Sequence, residues 1–541
     1  MTQKKDPYDL MYKNFQWKIP KYYNFGFDVI DRWAEDRTKL ALISLDRTGE
    51  KAQYHTFFDL KVLSNQFANI LRDINVKKGD RVLVVLQNIP EWYVALIGMF
   101  KLGVIPIPGT TLLTSNDFEY RINRSKSCMV ITDVDHADRV DSIRDNCPSL
   151  KHLMITDSTR KGWLNYDEEM KNSSRELQQC DIHKTLSTDR MLIYFTSGTT
   201  GQPKMVLHTH SYPLSHEITA RFIKALTERD LHWGVSDTGW AKAAYGKLFG
   251  QMTVGAAVIQ WDTPGRFNPD GLLRAMEKYG VTTFCAPPTA YRMIIQLDLS
   301  KYNLKLRHCM SAGEPLNPEV IRVWKKYFGL DIYDFYGQTE TVCVLSNYSF
   351  MPIRYGSVGK PTPGHDVRIV DDDGKELNHN EEGNIALYLG NKRPPGLFKE
   401  YWKDVEIMKK SFRGDYYYTG DRGYKDKDGY FWFVGRDDDV IKSSGYRIGP
   451  FEVESALMEH EAVAECAVVG VSDPNGIRGI VVKAFIILAK GHTPSDELTK
   501  ILQDHVKNVT APYKYPRIIE YVEDLPKTIS GKILRRELRK K

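Results

Sequence analysis

The chain reads as an α/β protein: a large N-terminal domain of layered α/β sheets, a small β-barrel-like subdomain, and a small α+β domain at the C-terminal end. Three observations predict this. Short apolar runs alternate with helix-like segments from Arg81 to Cys285. Turn-rich antiparallel patterning follows from residue 355. A further α+β pattern begins after the charged stretch Arg436-Asp-Asp-Asp439. The length of 541 residues, at about 150 per domain, allows roughly three to four units.

In order, Arg81-Val-Leu-Val-Val-Leu86 predicts a buried strand and Trp92–Phe100 a helix. Met129–Thr132, Met191–Phe195 and Val281–Cys285 predict further strands, because buried parallel strands read as continuous apolar runs. Asp366–Val370, a turn at Asp373-Gly374, Gly383–Tyr388 and Gly429–Val434 predict short antiparallel strands. After them come a helix near Glu452–Glu459 and strands at Ala464–Val471 and Val481–Leu488. The texture changes near residue 355, a domain boundary is placed at about residue 437, and the domains are assigned as 1–434, containing a β-rich subdomain over about 350–434, and 435–541.

Composition excludes several classes. With 42% hydrophobic and 27% charged residues the chain is globular rather than disordered or fibrous. A net charge of +6 is too weak to imply nucleic acid, and no basic, aromatic-rich binding motif supports it. Seven scattered cysteines without a CxxC pair predict reduced thiols and a cytoplasmic location. The first residues lack an apolar signal region. The longest apolar tract, Trp92–Pro108, begins like a helix, ends like a strand and is too short to cross a bilayer, so no membrane insertion is expected.

The richest local chemistry lies in Thr196, Ser197, Gly198, Thr199, Thr200, Gly201, Gln202, Pro203 and Lys204, directly after a predicted strand. Glycines let several backbone N–H groups face one anion, the hydroxyls add donors and Lys204 adds charge, which suits a polyphosphate. It is not a Walker loop, since Pro203 precedes Lys204 and Met205 follows it.

This loop resembles the phosphate loop of the adenylate-forming superfamily of acyl-CoA synthetases, luciferases and peptide-synthetase adenylation domains. Six further motifs follow in that superfamily's order: Ser311-Ala-Gly-Glu-Pro315, Asp334-Phe-Tyr-Gly-Gln-Thr-Glu340, Tyr418-Thr-Gly-Asp421, Gly435-Arg-Asp-Asp-Asp439, Ser443-Ser-Gly-Tyr-Arg447 and Pro526-Lys-Thr-Ile-Ser-Gly-Lys532. The overall texture is most similar to the medium-chain acyl-CoA synthetases, as in Val509-Thr-Ala-Pro-Tyr-Lys-Tyr-Pro-Arg517.

The resemblance implies ATP, Mg²⁺ and coenzyme A as partners of a small-molecule carboxylic acid. Gly313, Glu314 and Pro315 resemble the strip flanking adenine, and Asp334, Phe335, Tyr336, Gly337 and Gln338 the segment stacking on it. Thr339 is implied at the α-phosphate, Glu340 at Mg²⁺, Asp421 and Arg436 at the ribose, and Lys204 and Lys532 in catalysis. The resemblance also implies a mobile C-terminal domain hinged at Asp438. Ser444, Gly445, Tyr446 and Arg447, with Arg478, Lys507 and Arg517, resemble the coenzyme A set. Arg535, Arg536 and Arg539 read as a solvated basic tail.

Trp240 stands where related synthetases line the acyl pocket, and Trp240–Gly255 holds no acid to pair with an amino-acid ammonium. An uncharged acyl chain is expected. Lys242 and Lys247 interrupt this otherwise apolar stretch, which favours a short, branched or polar acid if either points inward. An AMP-forming acyl-CoA ligase is the expected activity. A luciferase-like or aryl-acid ligase is the rival, and homodimerisation stays open.

Overall fold

The tract Trp92–Pro108 shows how the first layer is built. Proline at the first turn opens a helix over Pro90–Leu102, almost wholly buried, and Gly103 at φ +68° ends it in the left-handed region. The chain then returns as the strand Ile105–Pro108 beside Arg81–Val85. In this computed structural model, residues 6–177, 184–196, 202–263, 267–390, 393–437, 439–443, 446–474, 479–527 and 532–540 are described, except the side chains of Lys442 and Arg447.

The first sheet is all parallel, in the order Ile105–Pro108, Arg81–Val85, Met129–Thr132, His152–Ile155, Leu164–Asn165. A second, nine-stranded sheet has a parallel centre that includes Ala257–Trp261, Leu231–Gly234, Thr283–Ala286, His308–Ala312 and Ile332–Gln338. Helices separate these strands along the chain, as parallel crossovers require. Among the described residues no helix is long and apolar enough to cross a membrane.

A third sheet pairs Asp366–Val370, Gly383–Tyr388 and Tyr416–Lys425 antiparallel, with Phe412–Arg413 and Phe431–Arg436 on successive stretches of the last. Its edges do not pair with one another among the described residues, so the expected barrel-like subdomain is an open sheet. The strand expected from Gly429 begins at Phe431. Gly429 sits at φ +84° in a turn where Asp426 Oδ1 accepts from the backbone N–H groups of Asp428 and Tyr430.

The C-terminal unit packs the helix Pro450–Met458 on strands Val463–Ser472 and Ile480–Leu488. A third strand, Ile518–Tyr521, joins in parallel through the helix Asp496–Val509. That strand was not foreseen: Arg517 and Glu520 break its apolar pattern.

Candidate active site

A cleft of about 1730 Å³ runs between the C-terminal ends of the large parallel strands, the antiparallel sheet and the tail of the small domain. Position follows from topology, since open α/β sheets bind ligands beyond the carboxyl ends of their strands.

One wall is a polar network around Asp421. This aspartate lies on Tyr416–Lys425 directly opposite Arg436, whose Nε stands 3.3 Å from Oδ1. Tyr336 Oη donates to Asp421 Oδ2 at 2.6 Å and Gln338 Nε2 to the same oxygen at 2.7 Å. Tyr417 Oη donates to Gln338 Oε1 at 3.1 Å, which fixes the amide. Burial raises the Asp421 carboxyl above the usual range; Arg436 and the two donors pull the other way. The result is a buried acceptor with its own orientation set, facing the cleft.

Glu340 follows the strand Ile332–Gln338. Tyr401 Oη donates to its Oε1 at 2.9 Å, and burial raises its pKa while this bond opposes the rise. Lys204 Nζ lies 5.5 Å from the centre of the Tyr401 ring. Thr196 and Lys204 are cross-strand partners of one hairpin, so the phosphate-loop sequence is its connection. Thr196 and Lys204 line the cleft, and Pro203 O accepts from Tyr120 Oη at 3.1 Å. Gln202 is described and exposed, whereas Ser197, Gly198, Thr199, Thr200 and Gly201 lie outside the described residues.

Gly337 lies at a register shift of the strand Ile332–Gln338, where a Cβ would sit 1.7 Å from the Val342 carbonyl oxygen. Thr339 and Glu340 follow in the turn. His208 Nε2 donates to the Thr339 carbonyl at 2.8 Å; burial holds this imidazole neutral, its pKa lowered to about 3. Gly313, at φ +103°, Glu314 and Pro315 form the opposite lip. Phe335 is buried behind it, and Asp334 is pushed up to about 8 by burial.

Trp240, Lys242 and Lys247 all line the cleft. Both ammonium groups are engaged by the chain itself. Lys242 Nζ donates to Ala312 O at 2.7 Å, and Lys247 Nζ to Asn88 Oδ1 and, at 3.4 Å, to Ser236 O. Burial lowers their pKa values to about 8 and about 7.

Lys532 borders the same cleft from the small domain. Tyr446, Lys507 and Arg517 do not: Tyr446 stacks on Tyr513 at 4.1 Å, and Lys507 and Arg517 flank Tyr515 at 4.3 and 4.8 Å. Ser444, Gly445, Arg478 and Asp438, and the Arg447 side chain, lie outside the described residues.

The tail is not uniformly solvated. Arg535 Nη2 donates to both Glu454 oxygens, at 2.6 and 2.9 Å, and Arg539 lies 2.5 Å from Asp439. Arg536, with a 68% exposed side chain, matches the solvated reading, and Arg539 is exposed as well although paired; Arg535 is the one that departs from it. Sequence reasoning also missed Tyr401, Tyr417 and His208. They stand in no motif, and only the folded sheets bring them to Glu340, Gln338 and Thr339.

Two family profiles match the chain: AMP-binding enzyme over residues 30–402 and AMP-binding enzyme C-terminal domain over residues 452–532. Mitochondrial acyl-coenzyme A synthetase ACSM3 of Mus musculus is 47% identical, covering 99% of this chain and 93% of that protein. The Homo sapiens protein of that name is 46% identical, covering 99% and 92%. Among solved structures, the anthranilate CoA ligase AuaEII in complex with anthranoyl-AMP matches with a TM-score of 0.88 at 33% identity, over 96% of this chain and 98% of that one. The mitochondrial relatives overturn the cytoplasmic placement, because unpaired cysteines report a reducing compartment without saying which. The profiles, the full-length relatives and the shared architecture agree: the chain belongs to the AMP-binding enzyme family, among its acyl-coenzyme A synthetases.

Proposed function

We propose that this enzyme activates a short- or medium-chain, or branched, carboxylic acid with ATP and passes the acyl group to coenzyme A. In the first stage a carboxylate oxygen bonds to the α-phosphorus of ATP, and the bond to the departing pyrophosphate breaks. In the second, the coenzyme A sulfur attacks the acyl carbonyl, AMP departs and the thiol proton passes to solvent.

The observation that carries this reading is the cleft, with the Asp421 network on one wall and Lys532 on the other. Asp421 and Arg436 would take the ribose hydroxyls, with adenine between Gly313–Pro315 and the Asp334–Gln338 segment. Lys204, Thr196 and Thr339 would face the phosphates with the hairpin connection. Lys532 would offset charge developing at the acyl carboxylate and α-phosphate; electrostatic groups of this kind are worth about 10²–10³ in rate.

Among the described residues no group of three or more His, Cys, Asp or Glu could hold a metal. That fits Mg²⁺, which is commonly held by one or two carboxylates plus substrate phosphates. Glu340, a buried carboxylate in the cleft, is the group that would hold it. A bound Mg²⁺ would neutralise phosphate charge.

For the second stage residues 435–541 would rotate about Asp438 relative to 1–434, bringing Gly445 to the cleft and the Ser444–Arg447, Arg478, Lys507 and Arg517 set to coenzyme A. Lys507 and Arg517 already share one tyrosine ring, which supports their acting together. The relatives favour a mitochondrial location. Purified enzyme given ATP, coenzyme A and a panel of C3–C10, branched and aromatic acids tests the reading. Acid-dependent AMP and pyrophosphate with aliphatic acids supports it; ADP as product ends it, and a preference for aromatic acids replaces it with the aryl-acid alternative.

A further inference from the structure

Among the described residues, three polar contacts from side chains of the large body reach the helix Pro450–Met458, its C-terminal end and the strand Val463–Ser472 of the small domain. Asn317 Nδ2 donates to Ser455 Oγ at 3.3 Å, and Arg322 lies 3.8 Å from Glu459. The third is centred on Arg292, in the helix Pro288–Ile294. Its Nη2 donates to Glu314 Oε2 at 3.4 Å and stands 3.9 Å from Glu465 Oε1, while Nη1 donates to Asn317 Oδ1 at 3.4 Å. Side-chain exposures of 14% for Arg292 and 19% for Glu465 mean that solvent screens this pair less than the half-exposed Arg322.

The pairing is built to open without leaving a stranded charge. Glu465 lies near the start of the small domain's strand Val463–Ser472, and its other oxygen pairs with Lys527 of the same domain at 2.8 Å. When the small domain moves away, Glu465 keeps Lys527, and Arg292 keeps Glu314 and Asn317. An uncompensated buried ion, the main cost of breaking such a pair, is avoided on both sides. Glu314 stands in the lip assigned to adenine, so Arg292 also links the nucleotide wall to the domain that carries Lys532.

We propose that Arg292 is a positioning residue for the first chemical stage: bridging Glu314 to Glu465, it holds the small domain in the orientation that brings Lys532 to the cleft. The inference rests on the two-stage reading above. It predicts that Arg292→Gln lowers kcat for acid-dependent ATP–pyrophosphate exchange by about tenfold, within the usual range of coupling between sites. Conversion of supplied acyl-AMP to thioester stays unchanged or rises. Glu465→Gln, which leaves the nucleotide lip intact, produces the same split, and Arg292→Lys restores most of the exchange.

Equal loss in both half-reactions, a rise in the KM for ATP with kcat unchanged, or a silent Glu465→Gln overturns the assignment. Lys532→Ala is the control for the underlying reading. If it does not separate the two half-reactions, the two-stage reading fails and the role of Arg292 falls with it. If it does separate them and the Arg292 variants do not, only the role of Arg292 falls.

Discussion

Asp334 sits beneath the Gly313–Pro315 lip with Oδ2 accepting from the Leu316 N–H at 3.3 Å and Oδ1 without a hydrogen-bond partner among the described residues. Burial pushes its carboxyl up to about 8, against about 3.9 when unfolded. Between those values the folded chain holds a proton that unfolding releases, so this group's contribution to stability falls as pH rises from about 4 to about 8 and then levels off. Asp334→Asn should remove that slope: thermal denaturation from about pH 5 to 8 should find the variant gaining on the native chain as pH rises, and parallel curves would refute a neutral Asp334. Residues of this kind were partly legible. Tyr336, Gln338 and Asp421 stand in ordered motifs and their side chains meet, while Glu340 of the same motif pairs with Tyr401. Tyr401 and Tyr417 could not be read, because their work depends on three separate strands converging on the cleft.

At the scale of elements, strand and helix positions followed from apolar runs and Gly/Pro punctuation, and the ends moved where local chemistry intervened. Asp426 delays the strand that was expected at Gly429. The barrel-like expectation failed because strand-like patterning says nothing about whether sheet edges close. Gly337 carries a sharper consequence. A methyl group there would collide with the Val342 carbonyl, and overpacking costs typically run about 1–3 kcal/mol. Gly337→Ala should lower stability by at least that and displace Thr339 and Glu340, seen as a lower Tm together with lost exchange activity; a native Tm contradicts the geometry. Within the basic tail Arg535 was misread, because charge alone does not reveal burial. Arg535→Ala strands Glu454 and should cost about 3 kcal/mol, whereas Arg536→Ala should stay within about 0.5 kcal/mol. Denaturant unfolding of the two variants would show no difference if the tail were solvated throughout.

Across the whole molecule, the small domain presents Lys532 to the cleft while Tyr446, Lys507 and Arg517 lie away from it. On the proposed two-stage reading this arrangement serves the first stage, and the second requires another. Sequence motifs could name both faces but not which one is engaged, since orientation depends on a few weak contacts such as that of Arg292 with Glu465. The most direct measurement assays the two half-reactions separately in Lys532→Ala and Gly445→Leu. The account predicts that Lys532→Ala loses acid-dependent ATP–pyrophosphate exchange by about 10² or more, yet still converts supplied acyl-AMP to thioester, and that Gly445→Leu does the reverse. Equal loss of both half-reactions in both variants would contradict it.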